Sequence, residues 1–428
     1  MVFRVIPRPT IRAPGREGGA VAIIVAVTLA VLVGFAGIVL DLGRLFVNKT
    51  ELQNAADACA LAAASELVCN PAAGPCPAAF LADAQAAGIA VASRNASDFR
   101  SAAVTIAPAD VRFNTAIGPN DAYLSLAAGA SPNSRFAMCI ARSAAISPRF
   151  MEVLKHFDAF VVQAQAVATL APGQSACNAA PIGVCADMTK PAPDYGHKPG
   201  DWIKSTFNNG AGPDDADVQG DFRWVDFTPS AGGTNEVRDQ LLGNAAVCGI
   251  KVGGDVSEQG VKQGAKSAWN TRFGFYPNGA NGYTPQSVAP DKTGYAFPSK
   301  APGPVIPIGT SAYAAYRQKQ AEHAVFVTNE YDGANKNIAG KGISSSDYQT
   351  YGAERRLVVA PILECGKSPS SVKILGMACV LMLNPMSNGS KGDLYLEWLG
   401  MANVPGSPCR TMGAAGGTTG ALVPTLVQ

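Results

Sequence analysis

The chain has 428 residues, of which 15% are charged, with 45 glycines, 30 prolines and a formal net charge of +2. That length allows two or three domains, and the absence of any like-charge block removes the electrostatic footprint of nucleic-acid binding. The Gly/Pro richness points to a loop-rich β protein over a helical bundle.

Residues 1–17 form a basic N-terminus in which Arg4, Arg8, Arg12 and Arg16 are offset only by Glu17. Residues 18–40, Gly18 to Leu40, carry no charge. As a helix they reach roughly 34 Å, enough for a hydrocarbon core of about 30 Å. The basic flank puts the N-terminus in the cytoplasm and everything after Asp41 outside the membrane. A cleaved signal peptide would have a shorter apolar stretch and a small-residue cleavage site, whereas the exit here reads Asp41-Leu42-Gly43-Arg44. A soluble core helix would not run so long without a charge.

Helix continues beyond the span, as a juxtamembrane amphipathic segment over 41–70. Leu42, Leu45, Phe46, Leu52, Ala56, Cys59, Ala63 and Leu67 recur at mostly helical spacing, and Asn70-Pro71 ends the pattern. Gly34, Gly37, Asp41, Arg44, Leu52, Gln53, Ala56 and Asp57 are the candidate residues for anchoring and helix–helix packing. Two uses of the small-residue face stay open: packing against another helix outside the membrane, or packing on the chain's own domain.

The run Arg16-Glu17-Gly18-Gly19-Ala20-Val21-Ala22, then Gly37-Ile38-Val39-Leu40-Asp41-Leu42-Gly43-Arg44, then Leu52-Gln53-Asn54-Ala55-Ala56-Asp57-Ala58-Cys59-Ala60-Leu61-Ala62, resembles the N-terminal segment of TadG-like proteins. Those proteins belong to the Flp (tight adherence, Tad) pilus-assembly system. Residues 219–275, with Cys248 and Asn270-Thr271-Arg272-Phe273, look like a segment of longer Tad-type envelope proteins. So do Arg355–Ile362 with Cys365, and Gly376–Cys379. Cys59 stands where the family commonly has a small residue such as Ala. The Asp-x-Ser-x-Ser metal site that some TadG-like proteins carry is missing, so no Mg2+ is carried over. A pilin cleavage Gly is followed five residues later by Glu, but Gly15 is followed by Ala20 and Gly19 by Ile24. The resemblance therefore implies an uncleaved accessory protein in the bacterial inner membrane: single-pass, with a cytoplasmic N-terminus and a periplasmic or extracellular C-terminal domain. Its partners would be the membrane and other pilus-assembly envelope proteins or pilin subunits.

An α+β exported region is expected over 71–170, with a helix at Ala78–Asn95. Strands follow at Ala103–Ile106, Val111–Phe113, Tyr123–Leu126, Phe136–Ile140 and Phe160–Ala168, and a short helix at Pro148–Phe157. Residues 171–354 read as a loop-rich β region with strands at Phe222–Phe227 and His323–Thr328. Residues 355–412 read as antiparallel strands Arg356–Leu363, Val372–Leu383 and Asp393–Leu399, and 413–428 as a flexible tail. The fold class is thus α+β, a long N-terminal helix followed by a β-rich, loop-rich exported domain.

Ten cysteines, an even count lying mostly beyond the span, fit disulfides in an oxidising compartment. Cys69, Cys76, Cys177, Cys185, Cys248, Cys365, Cys379 and Cys409 are the candidates, with the pairing open. Chemistry is otherwise sparse. His156, His197 and His323 are far apart in sequence, no Gly-x-Ser-x-Gly elbow or phosphate loop is present, and Asp214-Asp215-Ala216-Asp217 lacks EF-hand spacing. Phe222, Trp224 and Phe227 read as core or, less simply, as a partner surface. The expectation is a non-catalytic envelope protein that assists assembly or anchoring of a Flp/Tad-type pilus, without cofactor, metal, nucleic acid or small-molecule substrate. A minor pilin-like subunit and a membrane-tethered secreted hydrolase are the alternatives.

Overall fold

The computed structural model describes residues 18–69, 76, 79–99, 102–148, 150, 159–208, 218–220, 222–228, 233–244, 247–259, 265–277, 282–297, 309–327, 338–365, 371–387 and 391–427. The basic segment 1–17, most of the helix expected at Pro148–Phe157 with His156, and the acidic cluster 214–217 lie outside them.

Helix α1 runs unbroken from Gly18 to Ser65, fusing the expected span to its extension. Nothing within it breaks a helix: no Pro occurs, and 55–64 is Ala-rich. It ends in a tighter turn, with Glu66 and Leu67 donating their amides to Ala63 and Ala64. Helix α2, Ala79–Ala92, follows. Next come β1 (Ala96–Ser97), β2 (Ala102–Ala103), β3 (Val111–Asn114), β4 (Leu124–Ser125), β5 (Phe136–Arg142) and β6 (Gln163–Pro172). Where a strand was expected at Ala103–Ile106, only Ala102 and Ala103 pair, while Val104 and Ile106 are buried.

The middle of the chain holds β7 (Ile182–Cys185), β8 (Trp202–Asn208), β9 (Val218–Gly220), β10 (Phe222–Asp226), α3 (Thr234–Leu242), β11 (Asp255–Gln259), α4 (Ala265–Thr271), β12 (Phe275–Tyr276), α5 (Tyr313–Ala321), β13 (Lys341–Gly342) and α6 (Ser345–Tyr351). Strands β14 (Leu357–Leu363), β15 (Val372–Met382), β16 (Lys391–Met401) and β17 (Leu422–Leu426) complete the order.

Two sheets organise the head. One is antiparallel, in the order β17-β6-β5-β3-β4, and carries α1 and α2. Its core is small: Ala55, Ala56, Cys59, Ala60, Ala63 and Ala64 of α1 are buried with Leu81, Ala84 and Ala92 of α2 and with Phe113, Ala137 and Ala166 of the sheet. Side chains this short let backbones close up. A Cβ on Gly88 would lie 3.1 Å from both the carbonyl oxygen and the Sγ of Cys59.

The other sheet runs β11-β10-β7-β14-β15-β16-β8-β9. Strand β11 pairs with β15 as well as β10, so β11, β10, β7, β14 and β15 close a ring. One face buries Phe222, Trp224, Leu394, Leu396 and Trp398 with Trp269 and Leu241 of the helices. Val225, Val256, Leu363, Ile374 and Met377 form a second cluster. Phe222 and Trp224 are therefore core residues.

Three expectations change. The strand expected at His323–Thr328 is an irregular segment that follows α5; Thr328 itself is outside the described residues. Tyr316 and Gln320, one helical turn apart, are buried, and His323 takes a left-handed φ of 48° just past the helix end. The tail read as flexible carries β17, which pairs antiparallel with β6 from Leu422↔Pro172 to Leu426↔Ala168. Pro424 is tolerated because β17 is an edge strand. Lastly, Cys59 and Cys139, outside the candidate cysteines, form a disulfide of their own. The pairs are Cys59–Cys139, Cys69–Cys76, Cys177–Cys248, Cys185–Cys365 and Cys379–Cys409.

Candidate functional site at the membrane exit

Helix α1 changes environment midway along its length. From Val21 to Leu40 its large apolar side chains stand 39–67% exposed, while Leu52, Ala56 and Cys59 are wholly buried. The first half is long and apolar enough to cross a membrane. The second half is the central element of the first core.

A polar stripe marks the changeover. Asp41, Arg44, Asn48 and Glu51 follow one another at steps of three, four and three, so they share a face. Asp41 is buried, and its Oδ2 accepts the Phe150 amide at 2.9 Å. Arg44 donates through Nε (2.7 Å) and Nη2 (2.6 Å) to the two carboxylate oxygens of Asp98. This two-pronged geometry is the strong form of an ion pair. A third Arg44 nitrogen reaches the Ser147 carbonyl at 3.4 Å. Asn48 accepts the Asp98 amide at 3.1 Å and donates to Asp98 Oδ1 at 3.3 Å, and Glu51 accepts the Phe99 amide at 3.3 Å. Asp98 and Phe99 both have positive φ, 53° and 58°, a region L-residues seldom occupy. The stripe therefore holds two segments against α1, one at 98–99 and one through Ser147 and Phe150.

Further along, α1 caps a sheet edge. Beyond the end of β17, two carbonyls of β6 are taken by side chains of α1. Lys49 Nζ donates to the Gln163 carbonyl (2.5 Å) and Gln53 Nε2 to that of Gln165 (3.0 Å); the next carbonyl on that side, of Val167, accepts the Val427 amide. Gln53 also donates to Asp57 at 2.7 Å. Unpaired strand carbonyls are thus satisfied by helix side chains. At the far end of α1, Glu66 pairs with Arg410 at 2.6 Å, tying the helix to the C-terminal part of the chain.

Of the residues singled out in the sequence, Asp41 and Arg44 meet at this junction, and Gln53 and Asp57 meet beside the sheet edge. Leu52 and Ala56 are enclosed in the chain's own core. Gly34 has nothing within 4 Å of a would-be Cβ, whereas one on Gly37 would come 2.7 Å from Phe150 Cβ. The loop partners Asp98, Ser147 and Phe150 gave no sequence signal. Asn48 and Glu51 had one in retrospect, their helical spacing from Asp41 and Arg44.

The segments resembling longer Tad-type proteins come together elsewhere. Arg356, fully buried, donates to the Met382 and Tyr295 carbonyls at 2.8 and 2.6 Å and lies over the Phe273 ring at 4.2 Å. Arg272 donates to the carbonyl of Arg355 and to that of Leu241 near the C-terminus of α3, where positive charge is favoured. Asp291, also buried, accepts the Arg355 and Arg356 amides, the Tyr316 hydroxyl and Gln320 Nε2. Burial pushes its carboxyl up, and the nearby Glu354 carboxylate adds to this. Glu354 is itself desolvated, yet the Arg317 guanidinium holds it below its ordinary value. This network anchors α5 to the start of β14. A cavity of about 280 Å³ adjoins it, lined by Gln240, Arg272, Glu354, Arg355 and Arg410 among others. His197 stacks on Trp398, with ring centroids 4.8 Å apart.

No curated protein and no solved structure matches the chain. A family model, Tad, described as "Putative Flp pilus-assembly TadE/G-like", matches residues 19–66. Those bounds are nearly those of α1, and they take in the apolar span, the polar stripe and the buried Ala face. Residues 19–66 are thus a segment similar to the TadE/G-like part of Flp pilus-assembly proteins.

Proposed function

We propose that this chain is a non-catalytic inner-membrane protein that assists assembly or anchoring of a Flp/Tad-type pilus, its N-terminus cytoplasmic and its head periplasmic or extracellular. The observation that carries the reading is the continuity of α1. A single TadE/G-like helix is apolar and exposed over one half and is the core of the head over the other. Such a helix holds a folded head at a fixed distance from the bilayer, which suits a positioning role. Disulfides throughout the head accord with an oxidising compartment. The partners would be other pilus-assembly envelope proteins or pilin subunits. The test is surface piliation, by electron microscopy, in a deletion strain and in the same strain with the gene restored. Fibres lost and regained would support the role; unchanged fibre number and length would sink it.

A second reading rests on the same exposed half-helix. In a fibre, that surface would be covered by equivalent helices of neighbouring subunits, making the chain a minor pilin-like component. N-terminal sequencing of the mature protein separates the two: an anchor keeps Met1–Glu17, a processed subunit loses them.

A further inference from the structure

We propose that the head has a second membrane contact besides α1: Phe150 and Val161, on the described parts of the chain between β5 and β6, are seated in the lipid interface. This rests on the anchor reading of α1. The level is set by the helix itself. From Val21 to Leu40 the chain rises about 30 Å, the thickness of a hydrocarbon core, and Gly37 lies about 4.5 Å inside the end of that stretch. Phe150 packs on Gly37, so it sits at the depth where acyl chains give way to headgroups.

The chemistry at that depth is arranged for lipid. The Phe150 amide, a group that hydrocarbon does not tolerate unpaired, is taken by Asp41. The two charges that α1 carries between Gly37 and Phe46 are both turned inward, Asp41 to Phe150 and Arg44 to Asp98. Among the described residues, Leu40, Leu42 and Phe46 of α1 are exposed at this level (58%, 47% and 65%), and so are Phe150 at 47% and Val161 at 60%. Phe160, next to Val161, exchanges backbone hydrogen bonds with Ile146 and lines the same crevice as Asp41 and Arg44, which keeps Val161 beside the helix. Through the contact of Phe150 with Gly37 this apolar surface joins that of the span, so its occupant is the bilayer that the span crosses. Two contacts, unlike one, fix the rotation of the head about the helix axis.

The test uses the full chain in phospholipid vesicles whose acyl chains carry bromine, a short-range quencher of tryptophan. Phe150→Trp and Val161→Trp are compared with Leu32→Trp, inside the span, and Met412→Trp, on the 74% exposed Met412. The four native tryptophans supply a common background. Each variant's fold is checked by its retained disulfides. The expected result is a blue-shifted emission with bromolipid quenching for Phe150→Trp and Val161→Trp, well above that of Met412→Trp. Emission insensitive to bromolipid but quenched by aqueous iodide would overturn the proposal. Protection from both quenchers would also overturn it, showing a protein cover instead. If Leu32→Trp itself escapes bromolipid, the anchor reading fails and this inference falls with it.

Discussion

Around α1 and α2 the buried positions go to Ala55, Ala56, Ala60, Ala63, Ala84 and Gly88, whereas the eight-stranded sheet buries Trp224, Trp269, Trp398 and the charged Arg356. The first core gains from the close approach of backbones and has little side chain to lose. The second gains from large rings and from a polar network whose members satisfy one another. Additions should therefore harm the first region and deletions the second.

The largest effect is expected where several buried donors lose one shared acceptor. Asp291→Ala removes the acceptor of the Arg355 and Arg356 amides, the Tyr316 hydroxyl and Gln320 Nε2 and should destabilise the head by about 3–5 kcal/mol in denaturant unfolding, each orphaned buried donor costing about 1–3 kcal/mol. An unchanged midpoint would mean that the network is not the anchor of α5. Next comes the small-residue core's covalent tie. Cys59→Ala with Cys139→Ala should cost about 2–4 kcal/mol. A much smaller loss would show that Ala packing alone holds α1 on the sheet. Gly88→Val should cost about 1–3 kcal/mol by overpacking against Cys59, although the same change in a roomy core would be harmless.

The smallest effect is a slope. Glu397 is fully buried, and burial raises its carboxyl above the ordinary value of 4.5, although Ser311 Oγ and the Ala312 amide favour the charged form. A raised carboxylate means that the folded state holds the proton more tightly than the unfolded chain. Its contribution to stability is then complete below 4.5 and is lost as pH rises through the raised value. Glu397→Gln should flatten the stability profile across that window; a profile identical to wild type would assign the slope to another group.

What could be read from sequence divides along similar lines. Helix α1 and strands β14–β16 were legible because each is long and strongly patterned, in a 23-residue uncharged run or in apolar β-branched stretches. Helices α3 to α6, each of seven to nine residues, were not. They are held by tertiary anchors such as Tyr316 on Asp291 or the Tyr348 hydroxyl on the Phe273 carbonyl. Strand β17 was hidden by its Gly/Thr-rich approach and by Pro424, which only an edge position accommodates. At the membrane exit, the helix side of the junction could be traced in the sequence. Asp98 and Phe150, more than fifty residues away, have no local pattern that points back to α1.

The Cys59–Cys139 bridge has a mechanical consequence. A pull on the head, resisted by the bilayer at the other end of α1, reaches Cys59 and can cross directly into β5 at Cys139. The chain between the two cysteines, which stand 80 positions apart and enclose α2 and β1 to β4, is bypassed by the covalent path. Tension is delivered to the middle of a sheet, at a strand flanked by β3 and β6, and not to an edge that could be peeled away. Under load, this part of the head behaves as a strut with a slack side branch.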